Sequence, residues 1–289
     1  MNHALIEWVK NADGTQGYTW NPITGCLNHV NGLCKGGGFP CYAYRLANGR
    51  LKQRYLANNH FYIDEDIALK LLPAEQPMHN PFYPRFWPDR LRELRKRKQQ
   101  LMDGEPKPIG VFVCDMSDLF GTGIPEEWTS QIMDAIWDND EYDRFYLLTK
   151  QPQNLIKFSP FPDNCWVGVT VTDNAMFWKA LSYLKDSKAT IKYLSIEPYL
   201  EAIEPMLSPF TNFELSYEVG VDKIAESLKL AGISWVILGS QTKPYKPPKK
   251  LWIDEITEAC KRASIPYFLK DNLQPLFGNN LVQDMPIDR

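Results

Sequence analysis

The sequence predicts an α/β protein, a (β/α)8 TIM-type or partial barrel on a mostly parallel sheet. Three observations predict it. Short apolar, β-branched runs recur along the chain, among them Ile109–Cys114, Trp166–Val171, Ile191–Ile196 and Ser234–Leu238. Amphipathic segments of helical length separate them, the alternation that builds a parallel sheet. Polar residues recur just where these runs stop, and in such barrels the active site lies at the C-terminal strand ends. The chain reads as a single domain over 1–289, with an irregular insertion at about 58–81.

Tyr18–Ile23 reads as a short first strand feeding a glycine-rich loop, and Cys41–Ala57 as a helix ending at Asn58-Asn59. The stretch 60–81 is rich in proline and acid. Phe82–Phe86 reads as a second strand, followed by a helix that Pro88 initiates and that runs to about Gln100. Arg90, Arg92, Arg95, Lys96, Arg97 and Lys98 make that helix strongly basic. Ile109–Cys114 is the third strand. Pro125-Glu-Glu opens the next helix with proline and acid in its first turn, as the helix dipole favours.

Phe145–Leu148 is strand four, with a helix after Pro152; Trp166–Val171 is strand five, with a helix over Asn174–Lys185. Ile191–Ile196 is strand six. The segment 200–232 is less regular, with a helix near Val221–Leu230. Ser234–Leu238 is strand seven, Leu251–Ser264 its helix, and Tyr267–Leu269 strand eight. Residues after Pro275 form a tail that packs on the sheet or frays.

Composition bounds the function. With 44% hydrophobic and 13% aromatic residues in 289, the chain has ample material for a core. A formal net charge of −3 gives no global case for nucleic acid or membrane. There is no run of eighteen apolar residues and no signal-peptide core in residues 1–17. Six cysteines in such a chain point to a reducing compartment, the cytoplasm, and to metal or unpaired thiols. No H-E-x-x-H, G-x-S-x-G or P-loop is present, so hydrolase and nucleoside-triphosphate readings lack support.

The most informative stretch is residues 20–50. Cys26, Cys34 and Cys41 follow the spacing C-x7-C-x6-C, with glycines at 25, 32, 36, 37 and 38. Such a loop has no core to fill and bends readily enough to converge three thiolates. Three thiolates hold a 4Fe–4S cluster that leaves one iron open. His29 lies between the first two cysteines, so Cys26, His29, Cys34 and Cys41 also compose a Cys3His zinc site. The residues alone leave cluster and zinc both open. Cys114, Cys165 and Cys260 lie within strands or a helix, where burial is the default.

Trp20-Asn21-Pro22-x-Thr24-Gly25-Cys26 and Cys41-Tyr42-Ala43 resemble the phage-associated three-cysteine family of radical-SAM-like proteins. The resemblance continues in Val111–Phe120, Leu147-Leu-Thr-Lys-Gln-Pro152, Trp166-Val-Gly-Val-Thr170, Leu194-Ser-Ile-Glu-Pro198, Trp235–Gly239 and Pro266–Lys270. It implies a radical-SAM-type barrel in which Cys26, Cys34 and Cys41 bind a 4Fe–4S cluster. That cluster cleaves S-adenosylmethionine (SAM) to a 5′-deoxyadenosyl radical, with an electron from a donor such as a flavodoxin or ferredoxin. Two departures stand out. The family usually spaces its last two cysteines as C-x2-C, whereas Lys35–Pro40 intervene here. After Gly239 the family continues with glycine and glutamate, where this chain has Ser240 and Gln241.

The strand-end rule lists Asp115, Ser117 and Asp118, then Thr149 and Lys150, Thr170 and Thr172, Glu197, Gln241, and Lys270 with Asp271. Given the resemblance, Lys150 is expected to meet the SAM carboxylate, and Asp115, Thr170 or Glu197 its amino group or ribose hydroxyls. Ser117, Thr172 and Gln241 complete the expected cofactor contacts, and Lys150, Glu197 and Asp115 are the catalytic candidates. Lys243, Lys246, Lys249 and Lys250 form a proline-braced basic loop with Tyr245, suited to phosphates and base stacking. Three classes follow: a radical SAM enzyme on a nucleic-acid or nucleotide substrate, a nucleic-acid-binding barrel with structural zinc, and a non-catalytic iron–sulfur sensor or relay.

Overall fold

The computed structural model describes residues 1–63, 73, 76–102, 107–139, 143–205 and 216–286. Its central sheet has eight strands whose order follows the chain. They are β1 (Asn2–His3), β2 (Tyr18–Trp20), β3 (Gly110–Val113), β4 (Arg144–Thr149), β5 (Cys165–Val171), β6 (Ile191–Ile196), β7 (Trp235–Leu238) and β8 (Tyr267–Leu269). The sheet is mostly parallel and helices alternate with its strands, as the periodicity predicts. The chain divides into two compact units, Met1–Trp166 and Val167–Arg289, so the boundary falls inside β5.

In the first unit β1 pairs antiparallel with β2, while β2–β3 and β3–β4 are parallel. Every residue of β3 is buried, which is why its sequence reads as a continuous apolar run. The helix expected over Cys41–Ala57 is two helices, α1 (Tyr42–Asn48) and α2 (Lys52–Leu56), because Gly49 ends the first. After a 3-10 turn at Pro88–Arg90 comes α3 (Leu91–Met102), then α4 (Glu126–Trp137). Arg97 of the basic helix has a structural partner. Its guanidinium pairs with the fully buried Asp143, which also accepts the Ile109 amide at 2.9 Å.

Phe82–Phe86 does not join the central sheet. Only Arg85–Phe86 is extended, and it pairs antiparallel with Ile23–Thr24. The eighth strand is instead the N-terminal pair Asn2–His3. Arg85 explains the difference, since it is wholly buried with no carboxylate partner among the described residues. Its guanidinium donates to the carbonyls of Asn58, Asn80, Tyr83 and Pro77, fixing this segment to neighbouring loops rather than to the central sheet. The insertion expected at 58–81 lies only partly within the described residues, and so does the segment 200–232.

In the second unit β6–β7 and β7–β8 are parallel. Helix α5 (Asn174–Asp186) is capped by Asp173, whose carboxylate accepts the Met176 amide at 2.8 Å. Helices α6 (Tyr217–Leu230) and α7 (Lys250–Ala263) follow, the latter ending at Ser264 in the left-handed conformation. The segment after Pro152, in the first unit, is a 3-10 helix (Pro152–Phe158) rather than an α-helix. The C-terminal tail packs: Leu269 N–H donates to the Val282 carbonyl at 2.7 Å, and Trp235 Nε1–H to that of Asp284 at 2.8 Å. No helix among the described residues is long and apolar enough to cross a membrane.

Candidate metal centre

The cysteine loop is folded by its own turn chemistry. His29–Val30 pairs antiparallel with Leu33–Cys34, leaving Asn31 and Gly32 as a two-residue hairpin turn. Both have positive φ, 49° and 81°, the pattern that makes Asn-Gly a strong hairpin signal. The strand-and-helix reading passed over this signal. A bridge between Leu33 and Pro40, with Cys34 N–H on the Phe39 carbonyl at 2.9 Å, then closes Lys35–Pro40 into a local excursion. Cys41 returns to the hairpin by donating its N–H to the Gly32 carbonyl at 2.8 Å. The longer spacing between the last two cysteines is thus taken up outside the line that connects them.

Gly25 fixes the other end of the loop. Its N–H donates to Met116 at 2.9 Å, and its carbonyl accepts the Ser117 hydroxyl at 2.6 Å. At φ 89°, a Cβ here would run into the carbonyls of Phe82 and Tyr83. Ser117, expected as a cofactor contact, therefore anchors the cysteine loop to the end of β3.

All six cysteines are free. A backbone amide acts on each of the three loop thiols. Asn28 donates to Cys26 Sγ at 3.2 Å and Tyr44 to Cys41 Sγ at 3.5 Å, while the Gly36 amide serves Cys34. Amides aimed at sulfur favour the thiolate form. Burial opposes them, pushing Cys26 up to about 12 and raising Cys34, and Asp118 adds to the rise on both. The Lys150 ammonium pulls both thiols down and makes no ion pair among the described residues. Cys165 and Cys260 are buried with no such amide acting on them, whereas Cys114, buried just beyond β3 at φ 62°, has the Ile23 amide acting on it.

Among the described residues no three His, Cys, Asp or Glu side chains are arranged to hold a metal ion. His29 Nδ1 accepts the Gly32 amide at 3.3 Å, and its ring lies against Tyr44 and Phe82.

Around the loop, Asp115 accepts from the Asn21 amide and from the Tyr42 hydroxyl, which reaches both its carbonyl and its carboxylate. Burial raises the pKa of Asp115. Asp118 organises the end of β4: it accepts Thr149 Oγ1 at 2.7 Å, the Lys150 amide at 2.9 Å and the Phe120 amide at 3.1 Å. Burial raises this carboxyl too.

The second unit holds the remaining expected residues. Thr170 is buried, and its hydroxyl has no hydrogen-bond partner among the described residues. Thr172 Oγ1 donates to the capping Asp173 at 3.1 Å. Glu197 pairs with Lys270 at 2.5 Å, and Gly239 lies against that pair. Gln241 Nε2 donates to the Pro244 carbonyl at 2.9 Å, closing the small ribbon Gln241–Thr242/Tyr245–Lys246. Of the lysines, Lys249 lies over Trp252 at 5.2 Å and Lys250 pairs with Asp254 at 2.8 Å, while Lys243 and Lys246 are exposed.

The family described as "Protein of unknown function (DUF5131)" matches residues 3–275. The chain belongs to that family. No curated protein matches it. Among solved structures, this DUF5131 chain is similar to a spore photoproduct lyase complexed with dinucleoside spore photoproduct, at 12% identity and a TM-score of 0.48, covering 86% of this chain and 74% of that one. It is also similar to a spore photoproduct lyase double mutant with bound AdoMet and dinucleoside spore photoproduct, at 14% identity and a TM-score of 0.43, covering 85% of this chain and 60% of that one.

Proposed function

We propose that the chain is a radical SAM enzyme whose Cys26, Cys34 and Cys41 hold a 4Fe–4S cluster with one iron open to SAM. The observation that carries this reading is the loop itself. Three free thiols fall within one hairpin-closed segment, where backbone amides act on them, while the other three cysteines lie outside it. A cluster so held supplies an electron for reductive cleavage of SAM, giving methionine and a 5′-deoxyadenosyl radical; a flavodoxin- or ferredoxin-like donor fits that need.

The chain's own residues have narrower tasks. Lys150 favours the thiolates by its charge and is the group for a ligand carboxylate, since no protein carboxylate pairs with it among the described residues. Asp118 holds the Lys150 backbone in place. Asp115, already bonded to Asn21 and Tyr42, keeps acceptor capacity for an ammonium or hydroxyl. Thr170 offers an unpartnered hydroxyl, whereas Glu197 and Gln241 must give up existing bonds to contact a ligand. The test is anaerobic incubation of the reconstituted, dithionite-reduced protein with SAM, followed by chromatography. 5′-Deoxyadenosine forms in the wild type and is lost in Cys26→Ala, Cys34→Ala and Cys41→Ala; none from an iron-loaded wild type would contradict the reading.

A further inference from the structure

We propose that Arg50, Arg54 and Arg90 form a phosphate-binding site beside the cysteine helix, fit to the backbone of a nucleic acid. The site is built on Trp87, whose indole is fixed by Nε1–H on Thr24 Oγ1 at 2.8 Å and by its backbone amide on the Pro22 carbonyl at 2.8 Å. Over this one ring lie two guanidinium groups, Arg90 at 4.3 Å and Arg54 at 5.9 Å from the centroid. Tyr55 packs on the same ring at 5.9 Å, and Arg50 stands just before α2, the helix that carries Arg54 and Tyr55; Arg90, Asp115, Arg54 and Arg50 all act on the buried Tyr55 hydroxyl.

Like charges gathered this way normally have carboxylates between them, and among the described residues Glu93, Asp89 and Asp115 already have partners. Glu93, which acts on Arg90, pairs with the amino group of Met1, and Asp89 pairs with Arg92 at 3.4 Å. Asp115 is bonded to Asn21 and Tyr42. Arg50 and Arg54 make no hydrogen bond or ion pair among the described residues, and both are exposed. Arg90 is half-buried and donates to the Asn21 carbonyl. Burial first, then Arg54, lowers its pKa. One oriented guanidinium with two exposed ones beside it matches a phosphodiester, whose paired anionic oxygens take guanidinium forks. An anion there would also relieve the repulsion between Arg54 and Arg90.

The arginines are tied to the cysteine loop. Asn21 accepts from Arg90 through its carbonyl and donates to Asp115 through its amide, and Asp115 accepts from Tyr42, the residue after Cys41. A phosphate held at Arg90 is thereby registered against that loop. The lysine ribbon is a separate basic surface, where Lys250 is paired with Asp254 and Lys243 and Lys246 are exposed.

The test uses the full chain, with and without iron reconstitution, and anisotropy of a labelled single-stranded oligonucleotide over a salt series. Its failure is therefore separable from failure of the cluster reading. Wild-type affinity should fall linearly on a log–log plot. Arg50→Gln/Arg54→Gln should flatten the slope by roughly 0.7 per lost contact and weaken low-salt binding about tenfold, while Lys243→Gln/Lys246→Gln leaves both unchanged. Both arginines are exposed, so an unchanged melting temperature controls for folding. Competition by AMP in the wild type would identify a single phosphate as the recognised group; arginine-dependent binding without such competition would identify the polyanion backbone. No oligonucleotide or AMP binding by the wild type, equal binding by the arginine variant, or a loss confined to the lysine variant would overturn the proposal.

Discussion

Cys41 donates its backbone N–H to the carbonyl of Gly32 at 2.8 Å, across the excursion Lys35–Pro40. This bond returns the third cysteine to the Asn31-Gly32 turn, and it makes Gly32 a critical position in the loop. At φ 81° and against the Tyr44 ring, Gly32 has neither the conformation nor the room for a side chain. Gly32→Val should cost about 1–3 kcal/mol in stability and lower the iron retained per chain after anaerobic reconstitution. Thermal melting and metal analysis check it; full iron retention would separate the turn from the metal centre.

Lys150 acts electrostatically on Cys26 and Cys34, pulling both thiols toward ionisation. In cluster-free protein, Lys150→Met should slow alkylation of these two cysteines by iodoacetamide at pH 8. Peptide mapping should show Cys165 and Cys260 unreactive in both proteins, since both are buried. Equal rates for the loop cysteines would remove Lys150 from this role.

Arg85 holds four carbonyls from the fully buried position it occupies. Replacing it with Met leaves these acceptors unsatisfied, which costs about 3 kcal/mol or more. A melting temperature lower by several degrees is the expected readout, with Arg85→Lys recovering only part of it because a lysine cannot supply the same fork.

Asp118 has its carboxyl raised by burial despite three hydrogen bonds. A group with a folded pKa above its unfolded one contributes stability that is fully present below the unfolded value and is lost as pH rises through the folded value. From near pH 4 upward, wild type should therefore lose stability relative to Asp118→Asn, whose side chain does not titrate. Urea denaturation across pH 4–7 checks the difference; a difference that grows in favour of wild type as pH rises would contradict the burial argument.

The parts of the fold legible in the sequence were those buried on both faces. Ile191–Ile196 and Tyr267–Leu269 have the bounds their apolar runs imply, because such runs have little use except inside a sheet. Asn2–His3 carries no such mark, being two exposed residues that join the sheet through backbone pairing and the stacking of His3 on Tyr18. Phe82–Phe86 looked like a strand and is not one of the eight, because the buried Arg85 ties it to the carbonyls of Asn58, Pro77, Asn80 and Tyr83 and its extended part pairs with Ile23–Thr24. The cysteine trio was legible, and the Asn31-Gly32 turn that closes it was written in the sequence as well. The partner of Glu197 was not, since two strand ends bring Lys270 to it, whereas Gln241–Pro244 and Lys250–Asp254 are local contacts three and four residues apart.

The reading of Cys26, Cys34 and Cys41 as the ligands of an open-iron cluster is tested most directly by EPR of the anaerobically reconstituted, reduced protein with and without SAM. A reduced 4Fe–4S signal that changes when SAM is added, and that is lost in each of Cys26→Ala, Cys34→Ala and Cys41→Ala, is the expected result. A colourless protein carrying tightly bound zinc, or a cluster signal indifferent to SAM, would contradict it.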